Sequence, residues 1–377
     1  MKKICFRSRT ALTTWTLAAA LAASTPAWAQ LRIGQPSGFT GSVAAGVQEN
    51  NEGAKLYIDA VNARGGVNGQ KIELIPVDDK FDPKTTVEVS RELITQKGVL
   101  ALFLNRGTPH AQALLPLLAE FKVPLVGPST GAMALHEPVN PWVFNVRATY
   151  QREAIKAIEH LATIGLTRIA VLQTDDSFGA DSAAGAIKGF ANAGLQPLFL
   201  EKFPREKPDF NALAAKVAQS GAQAVLFIGS SGNVSSGVKT LREAGSRAQI
   251  VTLSNNASDG FIKLLGAHAR GVIVTQVFPN EHLIAYPLIK EARELAKVKG
   301  LKGVSPAMIE GFAAAKVLVE GLRRAGPKPT PAGLRDALEG LRKFDIGGLE
   351  ISYSPTDHSG LDFADLSIID SSGKFKR

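Results

Sequence analysis

Val99-Leu-Ala-Leu-Phe-Leu104, Asn105-Arg-Gly-Thr-Pro-His110, an apolar stretch from Ala111 to Phe121, Val123-Pro-Leu-Val126 and Gly127-Pro-Ser-Thr-Gly131 lie close along the chain. The order reads strand, loop, helix, strand, loop. Both strands are almost wholly apolar, which suits parallel strands covered by helices on both faces. Each delivers a short Gly/Ser/Thr loop at its carboxyl end, the edge of an open α/β sheet where ligands bind. Backbone N–H groups and hydroxyls beside a helix N-terminus suit an anionic group such as a carboxylate. This surface therefore reads as one that captures a small molecule.

The same rhythm extends outward. Leu31-Arg-Ile-Gly34 leads into a third loop of this kind, Gln35–Ser42, followed by a helix over about 43–63 and a turn at Gly65–Gly69. A strand over Lys71–Val77 precedes Asp78-Asp-Lys-Phe-Asp-Pro83, where Asp82 suits an N-cap and Pro83 the first helical position. Trp142–Arg147 reads as extended, and Tyr150 begins a new region. From Gln151 the alternation restarts: helix 151–164, strand Arg168–Leu172, loop Gln173–Gly179 and helix 180–193. A strand at Leu198–Leu200 and a helix capped by Asp209 and ending near Ser220 come next. Ala224–Ile228 opens onto Gly229–Asn233, Gln249–Leu253 opens onto Ser254–Asp259, and Val272–Thr275 is a further strand. Helices near 285–298, 304–324 and 331–341 and a terminal extended segment at Ser367–Ile369 complete the chain.

Two βα series imply two parallel-sheet domains. The last helices have no strands of their own to cover, which places them on the first domain. The expected division is 30–147 with 279–343 for one lobe and 148–278 with 344–377 for the other. Crossings near 147, 278 and 344 would make a three-segment hinge with a cleft between facing strand ends.

Composition sets further bounds. The 377 residues, 45% of them hydrophobic, can bury more than one core. Residues 1–29 stand apart: a basic start (Lys2, Lys3, Arg7, Arg9), an apolar run from Ala11 to Ala23, and Ala27-Trp-Ala29. This is the pattern of a secretory signal peptide cleaved after Ala29, and it predicts a periplasmic location. The apolar run is too short to span a membrane, and no other run is long enough. Losing the segment lowers the formal charge of +9 by four, to +5, spread along the chain without the clustered cations and exposed aromatics of a nucleic-acid binder. Cys5, the one cysteine, goes with it. The mature chain then has no disulfide, thiolate nucleophile or cysteine metal ligand.

Several residues admit two readings. Gly127–Gly131 is literally G-x-S-x-G after a strand, so the alternative is a secreted α/β-hydrolase with Ser129 as nucleophile. It would draw its acid from Asp336, Asp345 or Asp357 and its base from His358. No HGGG-type oxyanion segment accompanies it, and two βα series fit one large sheet poorly. Hydrogen bonding by Ser129 without chemistry is the preferred reading, with no catalytic residue. Arg106 is either a charge-assisted partner for a ligand carboxylate or a surface arginine at a strand end. Tyr150 either touches ligand or braces the hinge, and Phe178 is either a stacking platform or core. The histidines show no metal spacing, so neither metal nor cofactor is expected.

Taken together, certain segments carry a likeness. They are Ile33-Gly with Gly38–Gly41, Asn62–Gly69, Asp78-Asp79 with Asp82-Pro83, Pro128–Gly131, Phe144–Arg147 with Tyr150, and Asp175–Gly179. They resemble the type I periplasmic binding proteins of ABC importers, of the leucine/isoleucine/valine-binding kind, over nearly all of the mature chain. The resemblance implies two Rossmann-like α/β lobes that close on a solute, a monomer, and an ABC permease as partner. It places the carboxylate-holding hydroxyls and amides at Thr108, Ser129, Thr130 and Gly131, and the second-lobe cover at Phe178 and Ser231. The family's acid for an amino group would fall near Ser254–Asn255, where this chain has no carboxylate. That absence favours an aromatic or aliphatic carboxylate without an α-amino group, since a desolvated ammonium needs a counter-charge. Asp175, Asp176 or Asp259 would be the substitutes in a differently arranged pocket.

Overall fold

A computed structural model describes Met1 and residues 30–377. The signal-peptide reading and Cys5 lie outside the described residues. The first sheet takes β1 (Leu31–Ser37), β2 (Ile72–Asp78), β3 (Ala101–Phe103), β4 (Leu125–Val126) and β5 (Val143–Phe144), all parallel, in the order β2-β1-β3-β4-β5. The second contains β6 (Ile169–Thr174), β7 (Phe199–Phe203), β8 (Ala224–Ile228), β9 (Gln249–Thr252) and β10 (Ile273–Gln276). Its parallel part runs β7-β6-β8-β9-β10, which repeats the topology of the first sheet. In each, the strand order reverses between the first and third strands, and there the strand ends leave a crevice.

The helices follow the expected alternation. They are α1 (Ala44–Ala63), α2 (Pro83–Thr95), α3 (Thr108–Phe121), α4 (Tyr150–Thr163), α5 (Ser177–Asn192), α6 (Asn211–Ser220), α7 (Ser231–Glu243), α8 (Asp259–Leu265), α9 (Pro287–Val298), α10 (Pro306–Arg324) and α11 (Pro331–Glu339). Asp82 caps α2 by accepting from the Thr85 N–H, with Pro83 at the start of the helix. The α6 cap differs from expectation. It is Phe210, while the Asp209 carboxylate accepts from the Asn211 N–H at 2.9 Å.

Residues of α9, α10 and α11 share one buried cluster with β1, β3 and α1. Helices α1 and α10 touch backbone to backbone: a Cβ on Gly53 would stand 1.9 Å from the Met308 carbonyl oxygen, and one on Gly311 would stand 1.9 Å from that of Asn50. Any side chain at either position would push the helices apart.

The chain passes between the sheets three times, and the third passage falls later than residue 344. Strands β11 (Phe344–Asp345) and β12 (Glu350–Ile351) form a separate hairpin. Ile346, Ile351, Tyr353 and Leu361 bury in the first lobe's core. The Tyr353 hydroxyl donates to the Asn145 carbonyl, Asn145 N–H to His358 and Leu361 N–H to Val146. Residues 353–361 thus lie along the first sheet's edge beyond β5, and the hairpin packs on the start of α9, where the Leu288 N–H donates to the Gly347 carbonyl at 3.0 Å. Only β13 (Asp365–Ile369) and β14 (Phe375–Lys376) join the second sheet, both antiparallel. The expectation failed because a short hairpin and the four apolar anchors in and after it carry no sign of which core they enter. Among the described residues, no helix is long and apolar enough to cross a membrane.

Candidate functional site

The carboxyl ends of both sheets face each other across a nearly closed cleft, with about 20 Å³ of free space. Its wall is built loop by loop: Val43 follows β1, Phe81 follows β2, Arg106, Gly107 and Thr108 follow β3, and Tyr150 follows β5. From the other side come Phe178 after β6, Arg205 after β7, Ser230 after β8 and Asn255 after β9. Strand-end loops at two switch points are where the topology leaves backbone polar groups free to meet a solute.

Phe81 owes its place to two aspartates. The Asp78 carboxylate accepts from Lys80 N–H at 3.0 Å and the Asp79 carboxylate from Phe81 N–H at 2.9 Å. These bonds hold Lys80 and Phe81 in the left-handed region, each at φ 56°. Burial raises the Asp79 carboxyl to about 6 despite its bonds from Thr86 and Phe81. His110 stacks on Phe81 with ring centroids 4.3 Å apart, and burial lowers its imidazole to about 4. Gly107, at φ 100°, turns the chain above it; a Cβ there would stand 2.6 Å from His110 Nδ1. Glycine is required at this turn.

Arg106 is the central charge. It is 4% exposed, yet no carboxylate among the described residues pairs with it. One guanidinium nitrogen donates to Ser129 Oγ at 3.0 Å and the other to the backbone carbonyl of Asn255, which joins the lobes. The reading of Arg106 as an ordinary surface residue is therefore corrected. A buried guanidinium without an anion is costly, and an anionic solute would relieve it. The other arginine, Arg205, already pairs with Asp176 at 2.5 Å and lies over the Phe81 ring at 5.0 Å.

The structure sorts the remaining candidates. Thr108 lines the cleft, and its hydroxyl lies 2.8 Å from that of Thr130 behind it. Ser129 sits one layer back, its hydroxyl 3.0 Å from both Arg106 and the Asn50 amide, so it braces Arg106 and does not face the cleft. Gly131 is a packing position: its carbonyl accepts from Tyr150 N–H at 2.7 Å, and a Cβ would stand 2.6 Å from the Ala148 carbonyl. Tyr150 and Phe178 meet edge to face at 4.8 Å on the cleft wall. Both do two jobs, lining and packing. Ser231 turns away to donate to Asn256 at 2.9 Å, and its neighbour Ser230 takes the wall while capping α7. That one-residue difference arises because the N-cap, not the first helical residue, faces the strand ends. Asn255 presents its backbone carbonyl to Arg106 and ties its amide to Gly229.

The substitutes for a missing acid lie elsewhere. Asp175 pairs with Lys202 at 2.9 Å in solvent, Asp176 is held by Arg205, and Asp259 is exposed at the start of α8. Behind the cleft, Arg147 stacks beneath Tyr150 at 4.6 Å and pairs with Glu153, both fully buried, with Glu310 of α10 at 3.9 Å. Ser254 and Thr275, both of the second lobe, complete the Glu153 carboxylate's bonds and so link Arg147 of the first crossing to the strand that leads into the second. Val43, Phe81, Gly107, Arg205 and Ser230, which line the cleft, were not among the expected site residues.

The hydrolase alternative finds no support. Ser129 bonds Arg106 and Asn50, whereas His358 Nδ1 lies against the carbonyls of Asn140 and Val143 and its ring stacks on Phe144. Among the described residues no group of three or more His, Cys, Asp or Glu could hold a metal ion.

Two open α/β sheets of the same topology, closing strand end to strand end on a small polar cleft, define a two-lobed solute receptor of the type I architecture. Comparisons with known proteins agree. The profile of the periplasmic binding protein family matches residues 30–367, and the chain belongs to that family. Leu/Ile/Val-binding protein homolog 3 of Brucella melitensis is 25% identical over 349 residues, 92% of this chain and 93% of its own length. The solved substrate-binding periplasmic protein of Ralstonia solanacearum is 33% identical with a TM-score of 0.85, covering 92% of this chain and 99% of that one. A solved substrate-binding protein from Thermomonospora curvata shares the fold at 20% identity and TM-score 0.81, over 91% of this chain and 89% of its own. These relatives are binding proteins, not enzymes.

Proposed function

We propose that the protein is the periplasmic receptor of an ABC importer, holding a small carboxylate that lacks an α-amino group, aromatic or aliphatic in its remainder. Export through the signal peptide of residues 1–29, a monomeric state and delivery to a membrane permease belong to the same reading. The observation that carries it is the buried Arg106 guanidinium with no carboxylate partner. An anionic solute supplies the missing counter-charge, Thr108 and Ser230 offer hydroxyls, and Phe81, Tyr150 and Phe178 enclose an apolar remainder. No acid lines the cleft, which disfavours an ammonium there.

In this mechanism the solute docks on the first lobe at Arg106 and Thr108, and the second lobe then closes. Tighter binding to the closed form shifts the population toward it. The names of the Leu/Ile/Val-binding relatives favour a second reading, a branched-chain amino acid. The Thermomonospora curvata protein, by contrast, is named for fatty acids, which carry no α-amino group. A thermal-shift screen of leucine, isoleucine and valine against aromatic and aliphatic carboxylates separates the two, because bound solute raises apparent stability by mass action. Stabilisation by the acids supports the first reading; stabilisation by the amino acids alone overturns it.

A further inference from the structure

The two lobes also meet outside the residues that line the cleft, through the first two turns of α1. Helix α8 begins with Ser258 as N-cap, whose hydroxyl accepts from the Phe261 N–H at 3.0 Å. Its other two leading amides are taken from across the gap: Glu49 of α1 accepts from Asp259 N–H at 3.1 Å and from Gly260 N–H at 2.8 Å. The Ser305 hydroxyl, from the first lobe, holds the same carboxylate at 2.5 Å. Helix α7 is completed in the same manner, for the Gly232 N–H donates to the Ser42 carbonyl at 3.1 Å. Close approach allows no side chain at position 260 of α8, since a Cβ on Gly260 would stand 2.3 Å from that of Ala45.

Leading amides of a helix have no partner within the helix, and a carboxylate there gains from both the bonds and the dipole. Here those partners come from the opposite lobe, so the bonds exist only while the lobes are together. Neither Glu49 nor Gly260 lines the cleft.

We propose that Ser42–Glu49 is a solute-independent latch, in which Glu49 and the Ser42 carbonyl cap helices of the second lobe and hold the receptor closed part of the time while it is empty. The latch sets how much of the protein is closed before solute arrives and how long the closed form persists. It has no part in choosing the solute.

Small-angle X-ray scattering on the purified protein, freed of bound solute by unfolding, dialysis and refolding, tests this without any ligand. Glu49→Ala is expected to enlarge the radius of gyration, lowering the closed-to-open ratio about tenfold or more, as expected for loss of hydrogen bonds to a charged group. Glu49→Gln keeps one carbonyl acceptor and is expected to fall between wild type and Glu49→Ala. Gly260→Val, which wedges the contact with Ala45 and keeps the carboxylate, should open the protein as well. Glu52→Gln, one turn on and exposed, should leave the dimensions unchanged. Circular dichroism confirms folding, and if Gly260→Val does not fold, Glu49→Ala decides. Equal dimensions for wild type and Glu49→Ala overturn the proposal. Because no solute is used, that result leaves the reading of the cleft standing.

Discussion

The guanidinium of Arg106, rooted after the third strand of the first sheet, donates to the backbone carbonyl of Asn255 at the end of a strand in the second. One side chain therefore closes the gap between the lobes and leaves a positive charge inside it. Arg106→Gln keeps a polar side chain of similar reach and removes the charge. It is expected to weaken carboxylate binding by about a hundredfold, roughly 2.7 kcal/mol, with the melting temperature nearly unchanged. Titration calorimetry on wild type and variant measures the loss; equal affinities would remove Arg106 from the site.

Ser129 and Thr108 act at different depths. Thr108 meets the cleft, while Ser129 holds Arg106 in place. Combining Ser129→Ala with Thr108→Ala should weaken binding by more than about 1.4 kcal/mol, tenfold. Ser129→Ala alone should lose its effect in the Arg106→Gln background, because both changes act through one guanidinium. Independent, additive losses would instead mean that the Ser129 hydroxyl touches solute.

Removing Glu153 leaves Arg147 buried and without its nearest counter-charge. Glu153→Ala is expected to destabilise the protein by about 3–5 kcal/mol, read as a lower denaturant midpoint. Exchanging the pair for well-packed apolar residues should cost far less, since desolvation of both charges is then avoided. A mild effect of the single change would show that the network is not needed to join the crossings.

His110 gives the site a pH dependence. Burial holds its imidazole at about 4 in the folded protein, against an ordinary value of 6.5. Between these values the unfolded chain binds more protons than the folded one. The stability tied to neutral His110 is therefore fully present above pH 6.5 and is lost as pH falls through 4, by about 3 kcal/mol in all. His110→Phe, which keeps a ring against Phe81, should flatten that slope; parallel curves for wild type and variant would refute it.

Much of the architecture was legible in the sequence because parallel strands announce themselves. Ala101–Phe103 and Ala224–Ile228 are buried at every position and end in loops of small polar residues. The hairpin at Phe344–Ile351 was misplaced because β-strands of two residues carry no period to read. At the site, Thr108, Tyr150, Phe178, Arg106 and Asn255 could be found by following each strand to its end. Ser231 was displaced by one because sequence does not show which serine is the cap. Phe81 was hidden more deeply. Its position depends on two non-glycine residues held at positive φ by neighbouring aspartates, which composition does not signal. Arg205 lies in a loop whose path only the packed second lobe determines.

Titration calorimetry with matched solutes reaches the central claim most directly: 3-phenylpropanoate against phenylalanine, and 4-methylpentanoate against leucine, each pair differing only by the α-amino group. An unpaired Arg106 and a cleft without an acid predict that the carboxylate lacking the amine binds at least tenfold more tightly in the pair that fits. Tighter binding of phenylalanine or leucine than of its partner acid would contradict the account.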